Sequence, residues 1–310
     1  MAAIPVVDFA LFVEDKAGPD IARKRLESLA TINKACREFG LFQVINHGLD
    51  SLLLSKVLQN AHSFFELPLE YKCKFSTANN GMGFVHRSGA KGGPPDRKEH
   101  FMFAAEGKST LWPDLVPSFR PDAVEVSKQM QKLCDNMMAI LSQSLGSPDK
   151  TLRNCFDKNE DYYNFLHYPG CSDYQGQVLA PHQDGTIFTI VSQLNRVPGY
   201  QVLKDGTWHL VVPVENSLII NLGDIIQVWT NGLYKAAVHC VVANKKQRFS
   251  FVYHHVAEGK TRIAPLPEFV SDQPKYKSFL QEEYLKLRFE NKRLGNNFEK
   301  NITIDYYLVD

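Results

Sequence analysis

A chain of 310 residues is long enough to bury a sizeable core, and β-rich enzymes of that length often form one domain. Its 35 Lys and Arg against 34 Asp and Glu leave a net charge of +1, which gives no pull toward nucleic acid or an anionic membrane. Six cysteines, at 36, 73, 134, 155, 171 and 240, form no CxxC pair and no disulfide-like pattern, so a reducing, cytoplasmic setting is expected. Asp8 interrupts the one candidate for a leader's apolar core, so no signal peptide is expected. No apolar run approaches the roughly 20 residues of a membrane span.

The first half reads as helical. Residues 20–39 have helical charge spacing, with Leu26, Leu29, Ile32 and Ala35 toward a core. Residues 51–66 read as a second helix ending near Leu67-Pro68. Residues 79–98, rich in Gly and Pro, read as an ordered loop with a mobile tip. A third helix is predicted over 121–146, bounded by Pro121 and Gly146, and its Met and Leu stripe reads as packing. From about 160 onward, apolar-alternating segments separated by Gly, Asn and Asp turns read as strands. Residues 272–297 read as a charged C-terminal helix followed by an extended tail. With no repeat and no linker, the expected organisation is a single domain over 1–310. It has a mostly helical region over about 1–150, a β core over about 160–265, and a helix and tail over about 270–310.

The chemistry-bearing residues fall in the β region. His182 and Asp184, in LAPHQDGTIFTIVSQ, stand at i and i+2. On an extended backbone such residues share a face. Alone, His-x-Asp is a common chance pair. With a third ligand from His239, in YKAAVHCVV, two imidazoles and one carboxylate would make the facial triad that suits non-haem Fe(II) and oxygen chemistry. Nine residues after His239 come Arg248 and Ser250, again on one strand face. A guanidinium fork with a neighbouring hydroxyl suits a carboxylate, here that of a chelating 2-oxo acid.

The chain resembles the 2-oxoglutarate- and Fe(II)-dependent dioxygenases of the isopenicillin N synthase-like family. The resemblance runs nearly end to end. IPVVDF, FGLFQVINHGL, FFELPLEYKCKF, GMGF, RKEHFMF, LWPDLVPSFR, PHQDGTIFTIVSQ, GYQVLKDGTWHLVVP, LIINLGDIIQVWTNG and HCVVANKKQRFSFVYH occur in the family's order. It implies a mainly β fold, a double-stranded β-helix or jelly roll with supporting helices, with the metal in its cavity. It also implies Fe(II) on His182, Asp184 and His239, with 2-oxoglutarate as cosubstrate and O2 as oxidant. The far carboxylate of 2-oxoglutarate would then meet Arg248 and Ser250, and Tyr168, the tyrosine of NFLHYPG, would also contact the cosubstrate.

Where the family has an Asn two residues before that tyrosine, this chain has Leu166, and Asn164 lies two further back. Amide contact with the cosubstrate is therefore in question. Cys240 and His167 are expected to pack, and His254 or His255 is a candidate for the substrate pocket. The segment from His86 to Lys98 carries Arg87, Lys91, Arg97 and Lys98 against Asp96, a net +3. With Arg87 as the carboxylate partner, this points to a small anionic, amino-acid-like substrate of specialised metabolism, acted on by a monomer. Two other readings stay open. One is an oxidase of the same family that does not use 2-oxoglutarate, and the other a catalytically silent small-molecule-binding protein. A zinc hydrolase lacks a general base of the HExxH kind.

Overall fold

The computed structural model describes residues 3–14, 17–76, 82–86, 97–105, 111–293 and 302–309. Helices and strands interleave from the start: β1 (Val6–Asp8), α1 (Ala10–Val13), α2 (Pro19–Glu38), β2 (Leu41–Ile45), α3 (Ser51–Phe65), α4 (Leu69–Cys73), β3 (Gly83–His86), β4 (Glu99–Ala104) and α5 (Phe119–Ser144). The β region follows with β5 (Tyr162–Tyr168), β6 (Gln177–His182), β7 (Phe188–Ser192), β8 (Tyr200–Lys204), β9 (Thr207–Leu210) and β10 (Leu218–Leu222). Then come α6 (Asp224–Trp229), β11 (His239–Val242), β12 (Arg248–His255), β13 (Arg262–Ile263), β14 (Phe279–Leu280) and α7 (Gln281–Arg293).

Eight strands form one sheet in the order β1-β2-β10-β7-β12-β5-β4-β3, and four form a second in the order β6-β11-β8-β9. The two sheets and their flanking helices are the expected double-stranded β-helix. Alternation along β12 sorts its residues. Phe249, Phe251 and Tyr253 join the larger core with Ile32, Val57, Phe64, Met130 and Met137 of the helices. Arg248, Ser250, Val252 and His254 therefore face the second sheet. There a smaller core of Leu166, Tyr168, Val191, Tyr200, Val202 and Val241 fills the space. Arg248, Ser250 and His254 are thus the polar groups that β12 turns toward the second sheet rather than toward the packed helices.

Four expectations need correction. Leu26 is 68% exposed, while Ile32, Ala35 and Cys36 are buried. Nine residues at 100° each place Leu26 opposite Ala35, so one stripe does not contain both. The segment from 79 includes a strand at Gly83–His86, paired with β4. The C-terminal helix starts at Gln281, not near 272, because Pro274 lies within the earlier stretch and Phe279–Leu280 pair with Arg262–Ile263. Residues 294–300 lie outside the described residues. The tail is one 3-10 turn, Ile304–Tyr307, rather than fully extended.

Helix α3 matches its expected bounds, because Asp50 caps it. Its carboxylate accepts from Leu52 N at 2.8 Å and Leu53 N at 3.3 Å. Asp50→Ala is expected to lower stability by about 1 kcal/mol, read by urea unfolding of the apoprotein. An unchanged midpoint would show that the cap is dispensable.

Candidate active site

Strands β6 and β11 run antiparallel, and their register sets His182 directly opposite His239. The two rings lie 4.1 Å apart between centroids. Asp184 lies past the end of β6, in the turn leading to β7, so strand alternation alone does not place it. Its carboxylate nevertheless meets both rings. Oδ1 is 3.7 Å from His182 Nε2, and Oδ2 is 3.9 Å from His239 Nε2. One ligand atom from each of the three residues lies within 4.8 Å of the others.

The tautomers follow from the partners. His182 Nδ1 is 2.8 Å from Ala180 O, and His239 Nδ1 is 2.9 Å from Ala237 O. A carbonyl only accepts, so each Nδ1 carries the proton and each Nε2 keeps its lone pair for a metal. Burial works to raise the Asp184 carboxyl, but positive charge on His239 and His182 when they are protonated, with the Thr189 hydrogen bond, outweighs it and holds the carboxyl well below the usual range, so it is ionised before the rings give up their Nε2 protons. An ionised carboxylate and two lone-pair nitrogens form a hard, mixed O/N donor set that fits Fe(II). Thr189 Oγ1 and Asn221 Nδ2 each donate to Asp184 Oδ2 at 2.9 Å, which fixes the plane of the carboxylate. Tyr200 donates to Asn221 Oδ1 at 3.0 Å and stacks on His239 with its ring centroid 5.2 Å away.

Arg248 and Ser250 lie on the same inner face, and Arg248 pairs across the sheet with Tyr168. Arg248 is 2% exposed. Its guanidinium sits over the Tyr168 ring at 5.2 Å. NH1 donates to Ser250 Oγ at 3.3 Å and NH2 to Gln193 Oε1 at 3.4 Å. Burial pulls the guanidinium below its ordinary value, opposed only by the phenols of Tyr168 and Tyr200. Among the described residues no carboxylate comes within ion-pair distance of Arg248. Its Nε and the Gln193 Nε2 are buried without a hydrogen-bond partner. A buried cation with spare donors and no internal anion is a site for an anionic ligand.

The comparisons with known proteins agree with this geometry. Residues 148–256 match the model of the 2OG-Fe(II) oxygenase superfamily. Residues 4–123 match that of the non-haem dioxygenase in morphine synthesis N-terminal region. Over 305 residues the chain is 30% identical to S-norcoclaurine synthase 1 of Coptis japonica, covering 94% of this chain and 83% of that one. The chain belongs to the 2OG-Fe(II) oxygenase superfamily. Jasmonate-induced oxygenase 3 of Arabidopsis thaliana is 32% identical over 296 residues, 91% of this chain and 80% of the relative. The crystal structure of JOX2 in complex with 2OG, Fe and JA superposes with a TM-score of 0.84 at 27% identity, covering 100% of this chain and 90% of that one. This oxygenase is therefore an oxidoreductase of the dioxygenase kind. Its cofactors are Fe(II), 2-oxoglutarate and O2, and it acts on a small molecule. No helix among the described residues is long and apolar enough to cross a membrane.

Several positions of this oxygenase differ from expectation or escaped it. Asn164 sits opposite Val252 and Met102, away from the Arg248–Tyr168 pair, and Leu166 lies opposite Ser250. The amide next to Arg248 is instead that of Gln193, from just beyond β7. Gln193, Thr189, Asn221 and Tyr200 were not read from the sequence. Asn221 had a visible signal, a lone amide in the apolar strand LIINL. His254 faces inward, stacked on Tyr162 at 4.2 Å between centroids. Burial pushes its imidazole down to about 4, so it is neutral at pH 7. His255 faces outward and bonds Asp161, and His167 faces outward and bonds Glu99. Cys240 is buried and packs, with burial raising its thiol to about 11.

Arg87 and Lys91 lie outside the described residues. Arg97 stacks on Tyr174 at 4.3 Å and donates to Cys171 Sγ, and Lys98 is 8% exposed. Two of the four cations in the basic segment are thus committed within the fold.

Proposed function

We propose that this oxygenase oxidises a small organic acid or amino-acid-like metabolite by hydroxylation, desaturation or ring closure. In this reading His182, Asp184 and His239 hold Fe(II). Arg248 and Ser250 grip the far carboxylate of 2-oxoglutarate, with Tyr168 under the guanidinium. Iron, 2-oxoglutarate and O2 together supply an oxidant that removes hydrogen from substrate, with succinate and CO2 released. The protein's own residues place the reactants. The two Nδ1–H groups lock the imidazoles, Thr189 and Asn221 lock the carboxylate, and Arg248 would anchor the far carboxylate of the cosubstrate. The single observation that carries the reading is the buried Arg248, with no carboxylate partner among the described residues, on the face of β12 that looks toward the sheet carrying His182 and His239. Succinate release screened over small organic acids, with mass measurement of the product, tests it. A gain of one oxygen marks hydroxylation, and a loss of two hydrogens marks desaturation or ring closure. Oxygen consumption that ignores 2-oxoglutarate would favour the oxidase reading instead.

The neutral ring pair of His254 and Tyr162 supports a planar or apolar substrate body near the metal. The acid group of the substrate is assigned to the basic segment, with Arg87 as its partner. Arg87→Ala is expected to raise the substrate KM about tenfold, which corresponds to ~1.4 kcal/mol, and to leave 2-oxoglutarate binding unchanged. Steady-state kinetics on an acid found in the screen checks this. Preference for uncharged substrates, with no effect of Arg87→Ala, would refute the anionic reading.

A further inference from the structure

The turn that carries Asp184 runs from Gln183 to Ile187, and every one of its five carbonyls is held. Three accept from consecutive backbone N–H groups at the start of α6. Gly223 N donates to Ile187 O at 3.0 Å, Asp224 N to Asp184 O at 2.8 Å, and Ile225 N to Thr186 O at 3.2 Å. Only glycine fits at 223, since a Cβ there would lie 2.1 Å from Thr186 O. The remaining two carbonyls are taken by side chains of α7. Arg288 donates through NH2 to Gln183 O, and Gln281 Nε2 donates to Gly185 O at 3.0 Å. A Cβ on Gly185 would come within 3.3 Å of Arg288 and Leu285, so the helix lies directly against the turn.

Arg288 also acts at a second point. Its NH1 donates to Asp224 Oδ2, where the Tyr284 hydroxyl donates at 2.7 Å. Asp224 is fully buried, and it is the residue whose N–H holds Asp184 O. One guanidinium therefore restrains the peptide plane before Asp184 directly and the one after it through Asp224. A purely apolar contact would attach α7 to the barrel equally well, because burying an ion pair adds little net stability. What directional hydrogen bonds add is orientation. Two peptide planes fixed on either side of a residue fix its Cα–Cβ direction, and so the place its carboxylate occupies.

We propose that Arg288 is a positioning residue for the metal centre, with α7 fixing the backbone that aims the Asp184 carboxylate at iron. The proposal rests on Asp184 being an iron ligand. Arg288 acts from the backbone side, whereas Thr189 and Asn221 act on the carboxylate itself.

The test is an anaerobic Fe(II) titration of the apoprotein with 2-oxoglutarate present. It follows the charge-transfer absorption of the Fe(II)–2-oxoglutarate chelate, with the thermal melt of each apoprotein recorded alongside. Arg288→Met is expected to weaken Fe(II) binding about 10- to 100-fold and to shift the absorption band, as loss of an outer-shell partner does. Arg288→Lys should restore part of the affinity. Gln281→Met, which frees Gly185 O alone, should weaken binding by a few fold. Lys286→Met removes an exposed cation from the same helix and should change nothing. Fe(II) affinity within twofold of wild type in both Arg288→Met and Gln281→Met overturns the proposal. So does a loss of affinity that only tracks the unfolded fraction. If Arg288→Met gives no folded apoprotein, Gln281→Met decides on the same readout. Asp184→Ala, run in parallel, separates the two readings: intact iron binding in that variant sinks the ligand assignment itself.

Discussion

Asp184→Ala is expected to abolish succinate production and to weaken Fe(II) binding beyond the roughly 10- to 100-fold that loss of an outer-shell partner costs. His182→Ala and His239→Ala should do the same. Both imidazole Nε2 atoms face one carboxylate, and among the described residues this is the only trio so placed. A three-ligand site has no spare protein donor to take over. The Asp184 variant should also lose some stability, since the Thr189 hydroxyl then loses its acceptor while Asn221 Nδ2 keeps only Thr189 Oγ1, at a cost of about 1–3 kcal/mol for a buried donor left unpaired. The melt of the apoprotein keeps that loss apart from the loss of metal. Wild type loaded with Zn(II) in place of Fe(II) should stay folded and inactive, because zinc has no redox chemistry. Near wild-type succinate from all three alanine variants would remove the metal assignment.

Arg248→Gln should raise the 2-oxoglutarate requirement strongly. Removing one member of a buried charged pair costs about 2–5 kcal/mol, at least an order of magnitude in affinity. Ser250→Ala should cost about 1 kcal/mol, as for one neutral hydrogen bond. The apoprotein offers a second readout with the opposite sign. Arg248 is 2% exposed and has no carboxylate partner among the described residues, so it is a buried charge whose desolvation is opposed only by neutral partners, the Tyr168 and Tyr200 phenols, Ser250 and Gln193. Arg248→Gln is therefore expected to leave the melting temperature of the apoprotein unchanged or raised while 2-oxoglutarate affinity collapses. A substitution that lowers stability and spares 2-oxoglutarate affinity would make Arg248 a structural residue, and the oxidase reading would gain.

The ordered blocks from IPVVDF to HCVVANKKQRFSFVYH were enough to point to the family and to the jelly roll, and the comparisons and the two-sheet structure agree. Strand period made the sharing of one face by Arg248 and Ser250 legible, because alternation is a local property of extended backbone. The start of the helix at 51 was legible for the same reason, and the Asp50 cap that sets it lies within a few residues of it. Where Leu26 departs from the stripe of Ala35, and where the last helix begins after Pro274, the same local rules supply the reason.

Residue types and strand period were thus determined by the sequence alone: which side chains carry donors, and which neighbours share a face. Tertiary structure decided which of them meet. The opposition of His182 and His239 is a matter of register between β6 and β11, and register depends on long-range pairing that no window of sequence contains. Asp184 lies beyond the strand period and is placed by carbonyl contacts from α6 and α7, far along the chain. Gln193 stands beside Arg248 in place of the absent family amide only because β7 lies next to β12. Local rules fix direction along an element, while distance between elements is fixed by how their buried faces pack.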